Sequence, residues 1–288
     1  MDAYLDESGV HDGAAICVIA GYFGSKRPLK LLEKRWRQAL ARYDVPMDKF
    51  HARDLVSNPP SGFFRKWTKA QRDDFVKWLG KTIVSCNGAC PISAGIVVAD
   101  FNSFTLEQRR LITGATIKHG KLITTGSPNK PYFSPFIWCI RRLACYAPEG
   151  GKVHFFFGLN RPFADYAKSL LKETKEIPLD INCKERLGDF AFPLAKDTPQ
   201  LQAADLLVHL TYQFMLERQK AGSWDVPPEG ILGACVRNAK GGVADFIFLD
   251  KRCLQAGLDQ SYEIEGKKWD KKQNTNGKAR KQKSLTTP

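Results

Sequence analysis

The sequence predicts an α/β domain: a mixed sheet flanked by helices, with a helical insertion at about residues 100–150 and a disordered basic C-terminal tail. Three observations lead there. Two apolar, strand-like runs, Ala3–Asp6 and Ala14–Phe23, are separated by little more than the Gly9–Gly13 turn, which favours an antiparallel hairpin. Further along, apolar strands alternate with stretches of helical periodicity. From Gly266 to Pro288, eight Lys and Arg stand against one Asp, half of the chain's formal +14. That segment has only Trp269 and Leu285 as sizeable apolar side chains, too little to offset the entropy of ordering it. The expected boundaries are 1–265 for the domain and 266–288 for the tail.

Each element has its own signal. Leu32, Trp36, Leu40 and Tyr43 recur at helical spacing within Leu29–Tyr43. The loop Phe50-His51-Ala52-Arg53-Asp54-Leu55 follows, and Asn58-Pro59-Pro60-Ser61-Gly62 is unsuited to helix or central strand. Thr68 and Gln71 form a capping-box pattern ahead of a helix whose Phe75, Trp78 and Leu79 face inwards. Ile92–Ala99 is the third strand; Phe104–His119 and Ser134–Tyr146 are helical; Val153–Phe157 is the fourth strand. Pro162 opens a helix to about Lys175. Phe190–Leu194 is a short strand, placed at a sheet edge by Pro193. Pro199 starts an apolar helix reaching Phe214; a short helical stretch and the apolar piece Phe246–Leu249 come after it.

Composition excludes several classes. With 288 residues, 43% hydrophobic and 26% charged, the chain is globular in type. No apolar run reaches the roughly eighteen residues of a spanning helix, so no membrane partner is expected. The acidic start Met1-Asp2-Ala3-Tyr4-Leu5-Asp6-Glu7 does not read as a signal peptide. Eight scattered cysteines without a Cys-x-x-Cys read as reduced thiols, and the expected address is cytoplasmic. Basic residues in helical stretches, among them Arg35, Arg37, Arg109 and Arg110, point to an anionic partner. The tail, with Lys267 and Lys268 at its start, fits a nucleic-acid backbone.

Three acids draw attention. Asp6 ends a short apolar strand, where a carboxylate is costly unless something holds it. Strand alternation sends Asp6 and Glu7 to opposite faces. Asp205 lies in the apolar helix Leu201-Gln202-Ala203-Ala204-Asp205-Leu206-Leu207, on one face with Gln202. Asp197 precedes that helix. Converging carboxylates suit a hard cation such as Mg²⁺ or Mn²⁺, so Asp6, Asp205 and Asp197 are the candidate metal ligands. Plainer roles stand beside this: Asp197 as a helix cap, Asp205 in a salt bridge. His51 is a candidate general base or phosphate contact, or simply a hydrogen-bonded loop residue. His209, four residues after Asp205, is either a supporting or a packed histidine.

Tyr4-Leu5-Asp6-Glu7-Ser8-Gly9, Phe50-His51-Ala52 and Gln202-Ala203-Ala204-Asp205-Leu206-Leu207 resemble a bacterial and phage domain-of-unknown-function family. That family begins with Asp-Glu-Ser-Gly, carries a late Gln-x-x-Asp, and is placed in the ribonuclease H-like superfamily. The resemblance spans about residues 3 to 215. It implies a ribonuclease H-like sheet, with Asp6 and Asp205 as metal ligands and Glu7 and Gln202 lining the site. The implied function is divalent-metal-dependent hydrolysis of DNA or RNA phosphodiesters, with Asp6, Glu7, Asp205 and His51 as catalytic candidates. Ser8, Gln202, Asn160, Arg161, Lys267 and Lys268 are the substrate-binding candidates. The chain departs from the pattern after the fourth strand, where Gly158 and Asn160 stand in place of an expected acid and Asp165 is the nearest substitute. The alternatives are a degenerate nucleic-acid-binding module, or a protein-interaction component of a defence or mobile-element system.

Overall fold

The computed structural model describes residues 1–11, 13–114, 116–118, 121–123, 129–158, 185–224, 227–237 and 245–264. The expected helix from Pro162, the tail, and Asn160, Arg161, Asp165, Lys267 and Lys268 lie outside them.

The first two strands form the expected hairpin. β1 (Asp2–Ser8) pairs antiparallel with β2 (Ile16–Gly24), with Asp6 opposite Ala20. Every residue of β2 is buried, as befits a strand covered on both faces. β3 (Cys90–Val97) continues antiparallel on the far side of β2. On the other flank of β1, β6 (Val153–Phe157) and then β7 (Leu187–Ala191) run parallel to it. β8 (Asp245–Leu249) adds parallel to β3. The sheet order is β7-β6-β1-β2-β3-β8.

Close backbone approach holds the hairpin together at Gly21. A Cβ there would overlap the Tyr4 carbonyl oxygen, which belongs to β1. Because the obstacle is backbone, Gly21→Ala must push β1 away, and overpacking of this kind typically costs about 1–3 kcal/mol. Chemical denaturation should show that loss; a variant as stable as the wild type would mean the strands pair more loosely than described.

Helices cover both faces. On one, α1 (Lys26–Arg42), α3 (Lys69–Val84), α7 (Pro199–Ala221) and α8 (Gly230–Arg237) enclose a core with Trp36, Phe50, Phe64, Phe75 and Leu206. On the other, α6 (Phe133–Tyr146), with α4 (Val98–Asn102), α5 (Leu106–Gly114) and α9 (Lys251–Ile264), packs Phe101, Phe136, Leu143 and Leu258 against Leu5, Ile19 and Phe155. The five-residue α2 (Ala52–Val56) lies under α7.

Local signals account for the helix ends. Thr68 Oγ1 accepts from the Gln71 N–H at 3.2 Å while Gln71 Oε1 accepts from the Thr68 N–H at 2.8 Å, a complete capping box. α7 begins with Pro199 at its first turn and stops at Gly222, whose φ of 65° is the left-handed conformation that glycine adopts without penalty.

Two sequence expectations need correction, and one open stretch gains an assignment. The helix expected over Phe104–His119 ends at Gly114, and a small antiparallel pair follows, β4 (Thr116–Lys118) with β5 (Lys121–Ile123). The region at 100–150 is therefore not purely helical. Glycine at 114 and β-branched residues at 112, 113, 116 and 117 favour leaving the helix there. β7 runs from Leu187 to Ala191 instead of 190 to 194. It is the edge strand that Pro193 suggested, but the proline, lacking an N–H, falls just beyond it. The apolar piece near 246–249 is the opposite edge strand, β8.

Candidate functional site

The alternation of β1 builds the site. Ala3 and Leu5 belong to the core beneath α6, and Tyr4 packs towards the core beneath α7. Tyr4 stacks on its register partner Phe156 with ring centroids 4.6 Å apart. Asp6, two residues on, shares the α7 side, and Glu7 takes the other.

Asp6 stands where β1 meets the end of β6. Its Oδ1 accepts from the Glu7 N–H at 3.0 Å. Beside it, the Gly158 N–H continues the parallel ladder by donating to Leu5 O at 3.0 Å. A Cβ on Gly158 would overlap Asp6 Oδ1. The carboxylate thus rests over a glycine, at the very position where a further acid was expected. Burial holds the Asp6 carboxyl well above the usual carboxylate range, and the charges of Glu7 and Asp205 push it the same way.

Asp205 reaches this end from α7, which packs across β1 and β2. Its Oδ2 accepts from the Ala52 N–H at 2.8 Å, and His51 Nδ1 lies 3.5 Å from the same oxygen. His51 Nδ1 also caps α2 by accepting from the Arg53 N–H at 3.3 Å, which in the neutral ring leaves the proton on Nε2. Burial raises the Asp205 pKa; the positive charge of a protonated His51 and the Ala52 N–H pull it back, and Asp54 adds to the rise. His209 is driven to about 4 by burial, with His51 and Arg53 adding repulsion, so it is neutral near pH 7.

Three widely separated segments therefore meet: the end of β1, the Phe50-His51-Ala52 loop and the middle of α7. Asp205 lies within 3.5 Å of His51, and its charge acts on Asp6. Ser8 ends β1 on the Asp6 side by alternation. Glu7 takes the opposite side of the strand, where its charge acts on Tyr132 and Cys17, and its side chain also hydrogen-bonds Asp6 and pushes its pKa up.

Gln202 does not line an open site. It is 1% exposed. Its Oε1 accepts from Trp36 Nε1 at 3.1 Å and its Nε2 donates to Met47 O at 2.6 Å. It ties α7 to α1 and to the turn before His51, so it supports the loop from behind. Asp197 is exposed in a 3₁₀ turn, Ala195–Asp197, about two helical turns before Asp205. The cap position of α7 belongs to Thr198, which makes no side-chain cap bond. Among the described residues, no three His, Cys, Asp or Glu side chains gather as a metal cluster, so Asp197 does not complete a set with Asp6 and Asp205. Sequence reading missed the Ala52 N–H and Gly158 as neighbours of the two acids. The only signal for the first was the Phe-His-Ala motif itself.

Comparison with family models, curated proteins and solved structures gives no match for this chain. Among the described residues no helix is long and apolar enough to cross a membrane.

Proposed function

We propose that the chain is a divalent-metal-dependent nuclease of the ribonuclease H-like type, hydrolysing phosphodiester bonds of DNA or RNA. The observation that carries this reading is that Asp205, on α7, acts by its charge on Asp6 at the end of β1, with burial raising the pKa of both. Two mutually repelling, largely desolvated carboxylates are costly, and a cation between them would offset that cost. The donor set fits Mg²⁺ or Mn²⁺, which take hard oxygen ligands and commonly use one or two carboxylates together with water and substrate phosphate. A bound cation would supply Lewis acidity towards the phosphate and lower the pKa of a water.

The chain's own residues do the rest. Asp6 and Asp205 would hold the cation. His51, with its side chain 59% exposed beside Asp205, is placed to exchange a proton with solvent or contact a phosphate oxygen. Arg53, exposed two positions on, adds positive charge where a polyanion would lie. Support for the fold type comes from the sheet: β3-β2-β1-β6-β7 runs antiparallel in its first half and parallel in its second, and a late helix brings the second acid.

Incubation of the purified protein with single- and double-stranded DNA, RNA and hybrid, in Mg²⁺, Mn²⁺ or EDTA, tests the reading. Cleavage dependent on metal and abolished by EDTA is expected; no cleavage of any substrate would end it. A second reading has an observation of its own, Gly158 beneath Asp6 where a third acid would stand. It makes the protein a nucleic-acid-binding module that does not cut. Salt-sensitive binding without cleavage would favour it, and neither binding nor cleavage would favour a protein partner.

Two further results are expected. Gly158→Ala obliges only a side-chain carboxylate to turn, so stability should change by less than about 1 kcal/mol. Mn²⁺ affinity, measured by calorimetry, should nevertheless fall, because Asp6 is displaced; unchanged affinity would remove Asp6 from the metal account. Removal of 266–288 should weaken nucleic-acid binding and flatten its dependence on log salt by about 0.7–0.9 per lost phosphate contact. An unchanged slope would take the basic tail out of the interface.

A further inference from the structure

The same end of the sheet carries a second concavity, on the face opposite Asp6 and Asp205. It holds about 290 Å³ and is lined from the β1–β2 turn, α4, α5 and the segment entering α6. Its lining mixes two chemistries: Arg109, Lys130, Asn129, Asn102 and His11 are polar or cationic, and Val10, Val98 and Pro131 are apolar. Two polar atoms of the first group are buried without a hydrogen-bond partner, Arg109 Nε and Asn129 Oδ1. Arg109 spends Nη1 on Asn102 Oδ1 at 3.3 Å.

The Arg109 guanidinium and the Lys130 ammonium at this pocket are charged donors suited to an anionic oxygen. An Arg and a Lys lining one pocket favour phosphate, with Arg as the directional donor and Lys as a point charge. Glu7 lies on this face too, and its charge acts on Tyr132 and Cys17 in the pocket lining; the two cations outnumber it. The volume matches nearly ten waters at about 30 Å³ each, more than a bare phosphate fills and near the lower limit of small-molecule sites. The apolar wall calls for an organic body attached to the anion. Asn129 Oδ1, an acceptor, calls for a hydroxyl or amine donor on that body.

We propose that this pocket binds a nucleoside monophosphate unit, its phosphate on Arg109 and Lys130 and its sugar or base against Val10, Val98 and Pro131. The unit arrives either as a free nucleotide or as the phosphorylated end of a strand. The inference does not rest on the nuclease reading, since the pocket uses none of the metal-site carboxylates.

Calorimetry with the full chain in EDTA, using AMP, adenosine and inorganic phosphate, tests it with any metal-dependent contribution removed. AMP should bind, phosphate should compete with it, and adenosine should bind at least tenfold more weakly. Arg109→Gln should weaken AMP about ten- to a hundredfold, the range for losing a charged hydrogen bond. Lys130→Gln, at an exposed position that leaves folding intact, should weaken it severalfold. An oligonucleotide with a 5′-phosphate, compared with its 5′-hydroxyl form, separates the sources: preference for the phosphate assigns the strand end, and equal affinity with AMP binding retained assigns the free nucleotide. No AMP binding at about 10 mM, equal affinity for adenosine, or AMP affinity unchanged in folded Lys130→Gln and Arg109→Gln proteins would overturn the proposal.

Discussion

Asp6→Asn is expected to reduce metal-dependent cleavage by at least about 100-fold while making the metal-free protein more stable. The first half follows from ligand chemistry. An amide is a poor ligand for a hard cation, and removing even an indirect supporting partner of a metal site commonly costs 10–100-fold. The second half follows from linkage. The folded-state pKa of Asp6 lies above its unfolded value, near 3.9. As pH rises from about 4, the unfolded chain ionises first, so stability falls with pH until the folded pKa has been passed. The asparagine variant lacks this loss. Its stability advantage in EDTA should be small near pH 4 and grow towards pH 8, as read by denaturant titration at several pH values. Asp205→Asn should behave likewise in cleavage, with a weaker stability gain, because the Ala52 N–H and His51 already favour its charged form. An Asp6→Asn protein less stable than the wild type at every pH would mean that the carboxylate is a structural ligand of the fold.

Gln202→Leu is expected to cost about 2–4 kcal/mol. The substitution preserves bulk but strands Trp36 Nε1 and the Met47 carbonyl in a region where Trp36 is 0% exposed and Gln202 1%. Each such orphan costs about 1–3 kcal/mol. Metal affinity of the folded fraction should change little, because neither amide end faces the carboxylates. Chemical denaturation and Mn²⁺ calorimetry on the same preparation separate the two effects. A stable variant with weakened metal or substrate binding would return Gln202 to the site.

Much of the architecture was legible because its signals are local. The β1–β2 hairpin, the Thr68–Gln71 box and the proline-to-glycine span of α7 each depend on residues close in sequence. The opposite orientations of Asp6 and Glu7 needed only the two-residue period of a strand. The antiparallel pair β4–β5 was missed because a helical pattern was carried past Gly114. Gln202 was misread because a polar residue in an apolar helix has the same appearance whether it faces a site or clamps a core. Trp36, 166 residues away, and Met47, 155 residues away, distinguish the two. The Ala52 N–H that holds Asp205 lies 153 residues from it, and backbone donors leave no mark in composition. Gly158 was noticed as a missing acid; that a side chain there would overlap Asp6 required the parallel register of β1 and β6.

Mn²⁺ titration of the wild type, Asp6→Asn and Asp205→Asn, followed by calorimetry between pH 5 and pH 8, tests the central claim most directly. If the two carboxylates form one cation site, the wild type binds Mn²⁺ more tightly as pH rises and releases protons on binding, because raised-pKa carboxyls must ionise to coordinate. Either substitution alone should then remove most of that affinity. Wild-type Mn²⁺ binding that is independent of pH and survives both substitutions would contradict the account.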